Sequence, residues 1–327
     1  MENPKQTILI TGGAGFIGSN LVDHLLANSK YRVIALDNFD PYYPKAIKVD
    51  NLAHATRSPD FELIEADITK KEDLEKITVP IDAIVHLAAK AGVRPSIENP
   101  TAYFTTNVNG TANLLELART RRIRKFIFAS SSSVYGEHPA KPWSEDIEGL
   151  NPISHYAVSK LAAEKLGYVN SILHGTKFIV LRLFSVYGKR QRPDLAIAKF
   201  TRLLRNREKI EIYGDGLSAR DYTYVEDVVE YLTRAINYNE SSFEIFNLGS
   251  GRPCTIIELI RNLSDGLGVE ADISFSPAQQ GDVSSTWASI SKINLKLGAI
   301  KQTPLDAGIL RYLSASNEAK SRSGAGF

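Results

Sequence analysis

The chain is poor in cysteine, in net charge and in long apolar runs, and each shortage excludes a class of protein. A single cysteine in 327 residues, Cys254, rules out an intrachain disulfide and a cysteine-built zinc site. Nothing around it marks an activated thiol, so it reads as a small packed residue. Lysine and arginine number 39 against 37 aspartate and glutamate, for a formal net charge of +2. That balance argues against nucleic acid as a partner, because such binding needs a concentrated basic surface. The densest basic run, 119–125, falls between a helical pattern and a strand and reads as a solvated connection. No stretch reaches the ~18 apolar residues of a membrane span, and residues 1–10 hold no signal-peptide core. No membrane partner is expected, and the expected compartment is the cytoplasm. The chain also lacks Gly-x-x-x-x-Gly-Lys, which removes phosphate-loop nucleotide hydrolysis.

What the chain does have is a rhythm. Short β-branched runs at 7–11, 31–37, 61–67, 83–89, 125–131 and 177–183 alternate with helical patterns at 16–27, 107–118 and 154–174. Near-continuous apolar strands separated by amphipathic segments predict an α/β fold, a Rossmann-type doubly wound parallel sheet. After Gly188 the rhythm loosens into a helix at 196–206, a strand at 210–213 and a turn at 214–216. The expected organisation is a dinucleotide-binding domain over 1–185, to which the chain returns at about 220–250. A smaller mixed α/β substrate domain is expected over 186–313, and a polar tail over 314–327. No internal repeat is visible.

The first strand runs directly into Gly12-Gly13-Ala14-Gly15-Phe16-Ile17-Gly18, and a helical pattern follows at once. Gly12 permits the tight turn, Gly15 lets backbone approach a pyrophosphate, and Gly18 lets helix and strand pack closely. The phosphates then sit on the unpaired N–H groups of Phe16, Ile17 and Gly18 at the helix start. Asp37 ends the second strand about 20 residues further on, where a carboxylate accepts hydrogen bonds from the adenine ribose. Asn38 follows it, and no basic residue comes before Lys45. A 2′-phosphate would meet repulsion there, so NAD is expected over NADP.

Tyr156-Ala157-Val158-Ser159-Lys160 lies on a predicted helix, and a spacing of four puts Tyr156 and Lys160 on one face. A phenol with a free pKa near ~10 is a poor base at neutral pH, and an adjacent ammonium favours the phenolate. Ser130-Ser131-Ser132-Ser133 ends the fifth strand, at the ligand-binding edge of an open α/β sheet. A hydroxyl there can share a substrate proton with Tyr156.

On these motifs the sequence resembles the extended short-chain dehydrogenases/reductases from Ile8 to Tyr312, and within them the NAD-dependent nucleotide-sugar 4-epimerases. The resemblance implies that Ser131, Tyr156 and Lys160 form a catalytic triad, with Ser132 and Ser133 lining the sugar pocket. It implies that Asp67 and Ile68 bracket the adenine, that Leu87, Ala88 and Ala89 pass beneath the cofactor, and that Asn107 supports the site. It also implies a homodimer through paired helices near 107–118 and 154–174. Dehydratases and uronate decarboxylases of the same superfamily carry an acidic residue just after the strand-end hydroxyl. This chain has Ser132 and Ser133 there, so proton transfer at C5 of the sugar lacks its acid/base and epimerisation fits better.

Three segments resemble the UDP-glucuronate 4-epimerases in particular: Asp37-Asn38-Phe39-Asp40-Pro41-Tyr42-Tyr43, the stretch 91–100 that contains Arg94, and Arg192-Pro193-Asp194. The resemblance implies that Arg192 binds a sugar carboxylate, helped by Ser185. A guanidinium suits this task because it is always charged and grips a carboxylate with two bonds. Such a grip also protects the carboxylate of a 4-keto uronate from loss as CO2. By the same resemblance Arg220 meets the diphosphate, Tyr213 packs near the uracil, and Gln279 and Asp282 hold the uridine, while Trp287-Ala288-Ser289 departs from the family pattern. The expected reaction interconverts UDP-glucuronate and UDP-galacturonate through a 4-keto sugar. UDP-glucose or UDP-N-acetylglucosamine as substrate, a UDP-glucuronate decarboxylase, and an NAD-binding protein without catalysis remain open alternatives at this point.

Overall fold

The computed structural model describes residues 4–277 and 283–323. Gln279 and Asp282 lie outside the described residues. Seven parallel strands build the central sheet: β1 (Gln6–Thr11), β2 (Tyr31–Asp37), β3 (Phe61–Glu65), β4 (Ala83–His86), β5 (Lys125–Ser131), β6 (Lys177–Leu183) and, after the short β7 (Ser185–Tyr187), β8 (Ile210–Tyr213) and β9 (Ala219–Tyr224), the last member β10 (Phe243–Leu248). Their spatial order is β10-β6-β5-β4-β1-β2-β3. The order reverses between β1 and β4, and a ligand crevice forms at the carboxyl ends of the strands where it does.

Alternation along each strand explains why both faces are covered. Ile8, Ile10, Val33 and Ala35 enter one core cluster, while Leu9, Ile34 and Leu36 enter the other. A period of two sends neighbouring residues to opposite faces, so two buried faces demand unbroken apolar strands. The chain reaches β10 through the helix Val225–Asn237, whose Val228, Val229 and Leu232 are fully buried in the first cluster.

The remaining strands form two small sheets. β7 and β9 join β11 (Pro253–Thr255), and β8 pairs in parallel with β12 (Ile273–Ser276). Their core gathers Phe200 and Leu204 from the helix Ala196–Arg205, Ile210 and Ile212 from β8, and Leu259 and Leu263 from the helix Ile256–Leu267.

Several local expectations change. The segment 314–327 reads as a polar tail, yet the helix Leu305–Ser323 carries most of it. Ile309, Tyr312 and Leu313 recur at helical spacing and are buried in the small core, and Arg205 bonds Ser316 Oγ at 2.7 Å. The helix expected at 107–118 starts earlier: Pro100–Tyr103, a wide turn over Phe104–Asn109 and Gly110–Thr120 follow without a break. The basic run 119–125 is solvated only in part. Lys125 sits in β5 and is buried with its ammonium on the Tyr238 carbonyl, and desolvation lowers its pKa to about 8.

Candidate active site

A cleft of ≈ 910 Å³ opens along the carboxyl edge of the central sheet and continues between that sheet and the small ones. Its floor at β1 is backbone. A Cβ on Gly18 would lie 2.1 Å from the Gly12 carbonyl oxygen, and one on Gly12, whose φ is +70°, would lie 2.8 Å from Ala88 N. Only glycine lets the turn, the helix Phe16–Leu26 and the β4 end approach this closely. That helix has Gly15 at its N-cap and no side-chain cap, so the N–H groups of its first turn face the cleft without a competing acceptor.

Asp37 ends β2 and is buried. Its carboxylate accepts from Ala14 N at 3.1 Å and Phe39 N at 2.9 Å, and Lys48 Nζ stands 3.7 Å away. Sequence spacing missed Lys48, because a lysine eleven positions downstream comes back to β2 only through the helix Lys45–Asn51. Asn38 Nδ2 donates to Asp67 at 3.0 Å. Bonds from Thr69 and Asn38 hold the Asp67 carboxyl below its usual range against partial burial, which pushes the other way. Ile68, Leu87, Ala88 and Ala89 line the cleft beyond it. Asn107 ties this wall to the next: its Nδ2 donates to Lys90 O at 3.0 Å and Ser159 Oγ at 2.9 Å, while its Oδ1 accepts from Lys90 N at 2.8 Å. Underneath, the buried His86 bridges Thr11 and Thr111 at 2.7 and 3.0 Å. Burial and then the Lys160 charge lower its pKa to about 3, so it stays neutral.

Tyr156 and Lys160 sit in the first turns of the helix His155–His174, which Ser154 caps by accepting from Ala157 N at 3.2 Å. The Tyr156 phenol is pushed up by burial, opposed first by a hydrogen bond with Ser131 and then by the Arg192 charge. Ser131 Oγ lies 3.1 Å from Ser133 Oγ, and Ser132 lines the cleft beside them. Lys160 Nζ donates to Ala129 O at 2.8 Å. Burial lowers its pKa to about 7, with Glu164 one turn on opposing the shift. Behind this triad, Glu164 accepts from Ser130 Oγ at 2.5 Å and from Arg182 at 3.0 and 2.8 Å. The pair is only 3% and 2% exposed. Removing one partner of such a pair costs about 3–5 kcal/mol, because the other charge is left buried and unpaired.

The far end of the cleft carries side chains. Arg192 leaves the loop between β7 and the helix Ala196–Arg205, its side chain 19% exposed and paired with Asp194. Arg192 and Tyr156 act on each other electrostatically. Ser185 in β7, Tyr213 in β8 and Arg220 in β9 line the same end, and the Arg94 guanidinium stands 5.7 Å from the Tyr213 ring centre. Arg220 is placed by its neighbour: the buried Asp221 accepts from Ser250 N at 2.6 Å and from Gly251 N and Ala288 N at 3.0 Å each. Ala288 belongs to the segment that departs from the family pattern, whose Trp287 donates to Gly251 O at 3.0 Å. No His/Cys/Asp/Glu cluster suited to a metal occurs among the described residues.

A dinucleotide loop and a Ser/Tyr/Lys constellation on one sheet edge define a dehydrogenase-type enzyme that holds its nicotinamide cofactor and a second ligand in one cleft. The glycine cradle and the uncapped helix start fit NAD. The chain belongs to the NAD dependent epimerase/dehydratase family, whose model matches residues 8–249. It is 37% identical to a UDP-glucuronate 4-epimerase of Thermodesulfobacterium geofontis, over 95% of this chain and 96% of the relative. Among solved structures it is similar to the UDP-glucuronic acid 4-epimerase of Bacillus cereus in complex with UDP-glucuronic acid and NAD. That likeness has a TM-score of 0.89 and 33% identity, and covers 96% of this chain and 100% of that one. The UDP-glucose 4-epimerase of Thermotoga maritima with UDP-glucose is similar at a TM-score of 0.88 and 33% identity, over 96% and 99% of the two chains.

Proposed function

We propose that this enzyme interconverts UDP-glucuronate and UDP-galacturonate through a 4-keto sugar. The observation that carries the choice of substrate is Arg192: its guanidinium reaches the same cleft as Tyr156, and each group perturbs the other. A carboxylate on C6 of a hexose is two carbons from the reacting C4, so a fixed cation close to the base suits a uronate.

In this reading Tyr156 accepts the C4 hydroxyl proton, with Ser131 sharing it along their hydrogen bond. Lys160, one helical turn from Tyr156 and with a pKa near neutrality, passes or holds a proton as the phenol changes state. NAD, when bound, supplies the hydride acceptor at C4 and gives the hydride back. Gly12, Gly15, Phe16, Ile17 and Gly18 would cradle its pyrophosphate, Asp37 with Asn38 its adenine ribose, and Asp67 with Ile68 the adenine. Ser132, Ser133 and Ser185 would bond the sugar hydroxyls, while Arg94, Tyr213 and Arg220 would hold the uridine diphosphate about which the sugar turns.

The division into an NAD-binding and a UDP-sugar-binding domain belongs to the same proposal, as do a cytoplasmic location and a homodimer. The dimer is supported by Val158, Val169 and Ile172, which are 38%, 50% and 63% exposed on one stripe of the helix His155–His174.

The test is to incubate the purified protein with UDP-glucuronate, and separately with UDP-glucose, without added NAD, following products by proton NMR. Conversion of the uronate to its 4-epimer is expected. UDP-galactose from UDP-glucose alone would overturn the substrate and keep the chemistry, and a pentose as main product would make the enzyme a decarboxylase.

A further inference from the structure

Arg192 is held in a fixed plane. Its Nε donates to Asp194 Oδ1 at 3.0 Å and a terminal nitrogen donates to Asp194 Oδ2 at 2.8 Å. The Tyr42 ring stacks 5.2 Å from the guanidinium carbon, and the Tyr42 hydroxyl donates to Asp194 Oδ2 at 3.3 Å. Tyr42 comes from the loop after β2, at the dinucleotide end, and Asp194 from the loop that leads into the small sheets. All three side chains line the cleft.

We propose that Asp194 is a positioning residue that presents Arg192 to the sugar carboxylate and thereby decides whether the oxidised uronate keeps its carboxyl group. The proposal rests on the UDP-glucuronate reading. A guanidinium carries five N–H donors in a rigid fork. Asp194 occupies the edge formed by Nε and one terminal nitrogen. The two terminal nitrogens share another edge, and that edge offers a second pair of parallel donors to a substrate carboxylate. Tyr42 sets the plane in which the pair lies.

The plane matters because of the 4-keto sugar. In a β-keto acid the C5–C6 bond breaks when it stands perpendicular to the ketone plane. Its electron pair then stays on C5, spreads onto the C4 oxygen as an enolate, and takes a proton from water while CO2 leaves. A carboxylate clamped by two bonds cannot follow C6 into that geometry, so the clamp favours return to the hexuronate.

Asp194 also places a negative charge beside the substrate's own. Asp194→Asn therefore has two opposed effects. The amide keeps one acceptor but turns N–H groups toward the second guanidinium donor, which unlocks the plane; removing the charge strengthens the pull of Arg192 on the uronate. The Asp194 side chain is 37% exposed, so screening limits that gain to a few-fold. The expected signature is a UDP-glucuronate KM unchanged or lowered, with the pentose share of the product raised about tenfold, the worth of one charge-assisted bond. Asp194→Glu keeps the charge and shifts the fork by one methylene, so it leaks pentose with no gain in affinity.

The experiment measures pentose and hexuronate products by proton NMR for the wild type and both variants. It also measures dissociation constants for UDP-glucuronate and UDP-glucose by calorimetry on each Asp194 substitution combined with Tyr156→Phe, which blocks turnover. Thermal melts confirm that each variant folds. An equal loss of affinity for both nucleotides, with no added pentose, would mean a merely structural role and would overturn the proposal. So would an unchanged product ratio in both variants. A wild type that does not turn over UDP-glucuronate would overturn the substrate reading and this proposal together, whereas an active wild type with faithful variants would overturn this one alone.

Discussion

The two ends of the cleft are built by different physics. At the dinucleotide end most of the contact surface is backbone, with glycines without Cβ, an uncapped helix start and the strand ends of the parallel sheet, and the buried Asp37 carboxylate stands at its edge. At the sugar end it is side chains. Arg94, Arg192, Tyr213 and Arg220 come from four separate elements, and none lies in the seven-stranded sheet. Backbone placement needs glycine at fixed short spacings, so a few adjacent letters carry it. Side-chain placement needs long cationic or aromatic groups delivered from distant segments, and it varies with the ligand. On the proposed reading, the first set holds the cofactor and the second selects the sugar.

The sharpest way to break this division is at the junction between the ends. Tyr156→Phe should lower turnover roughly 10²–10⁴-fold, the range for losing one acid/base group, while NAD bound per chain, measured after denaturation, stays constant. An active variant would move the chemistry elsewhere. At the sugar end, Arg192→Ala should weaken uronate turnover about 10–100-fold, in line with about 1.5–3 kcal/mol for a charge-assisted bond, and leave UDP-glucose kinetics unchanged. A parallel loss for both sugars would make Arg192 a general structural group. At the dinucleotide end, Gly18→Ala forces a Cβ against the Gly12 carbonyl and should cost about 1–3 kcal/mol as overpacking. A lower melting temperature and a lower NAD content would report it, with UDP-sugar affinity little changed.

The last test concerns pH. Burial lowers the Lys160 pKa to about 7 from 10.5. The unfolded chain therefore binds more protons than the folded one between about pH 7 and the unfolded value. Stability of the NAD-free protein should rise with pH through that window, by at most ~1.4 kcal/mol per pH unit from this group. Lys125 contributes in the same direction with a pKa of about 8, so the difference between wild type and Lys160→Met in denaturant titrations isolates Lys160. Equal slopes in the two proteins would show that the folded lysine keeps its ordinary pKa and is hydrated.

Much of the fold was legible because its signals are local. Strands such as β2 and β5 appear at their full lengths in the apolar runs of the sequence, and the glycine motif falls where β1 meets its helix. Tyr156, Lys160 and Ser131 were legible as types at telling positions, and the cleft gathers all three. The misses share one cause. Lys48 against Asp37, His86 between Thr11 and Thr111, and Tyr42 against Arg192 and Asp194 are contacts between segments whose separation carries no period. The helix through Ser323 was missed because three apolar residues among polar ones are enough to seat it once a partner surface exists.

By itself the sequence determined the parallel α/β sheet and the glycine loop after β1, because each follows from steric limits and side-chain periods that act within about twenty residues. Only the tertiary structure decided the charge states and the aim of the site. Burial sets the Lys160 pKa near neutrality, an ion pair sets the plane of Arg192, and the buried Asp221 places Arg220 at the cleft. Desolvation and directed hydrogen bonds depend on what surrounds a group in space, and that is settled only when the chain has folded.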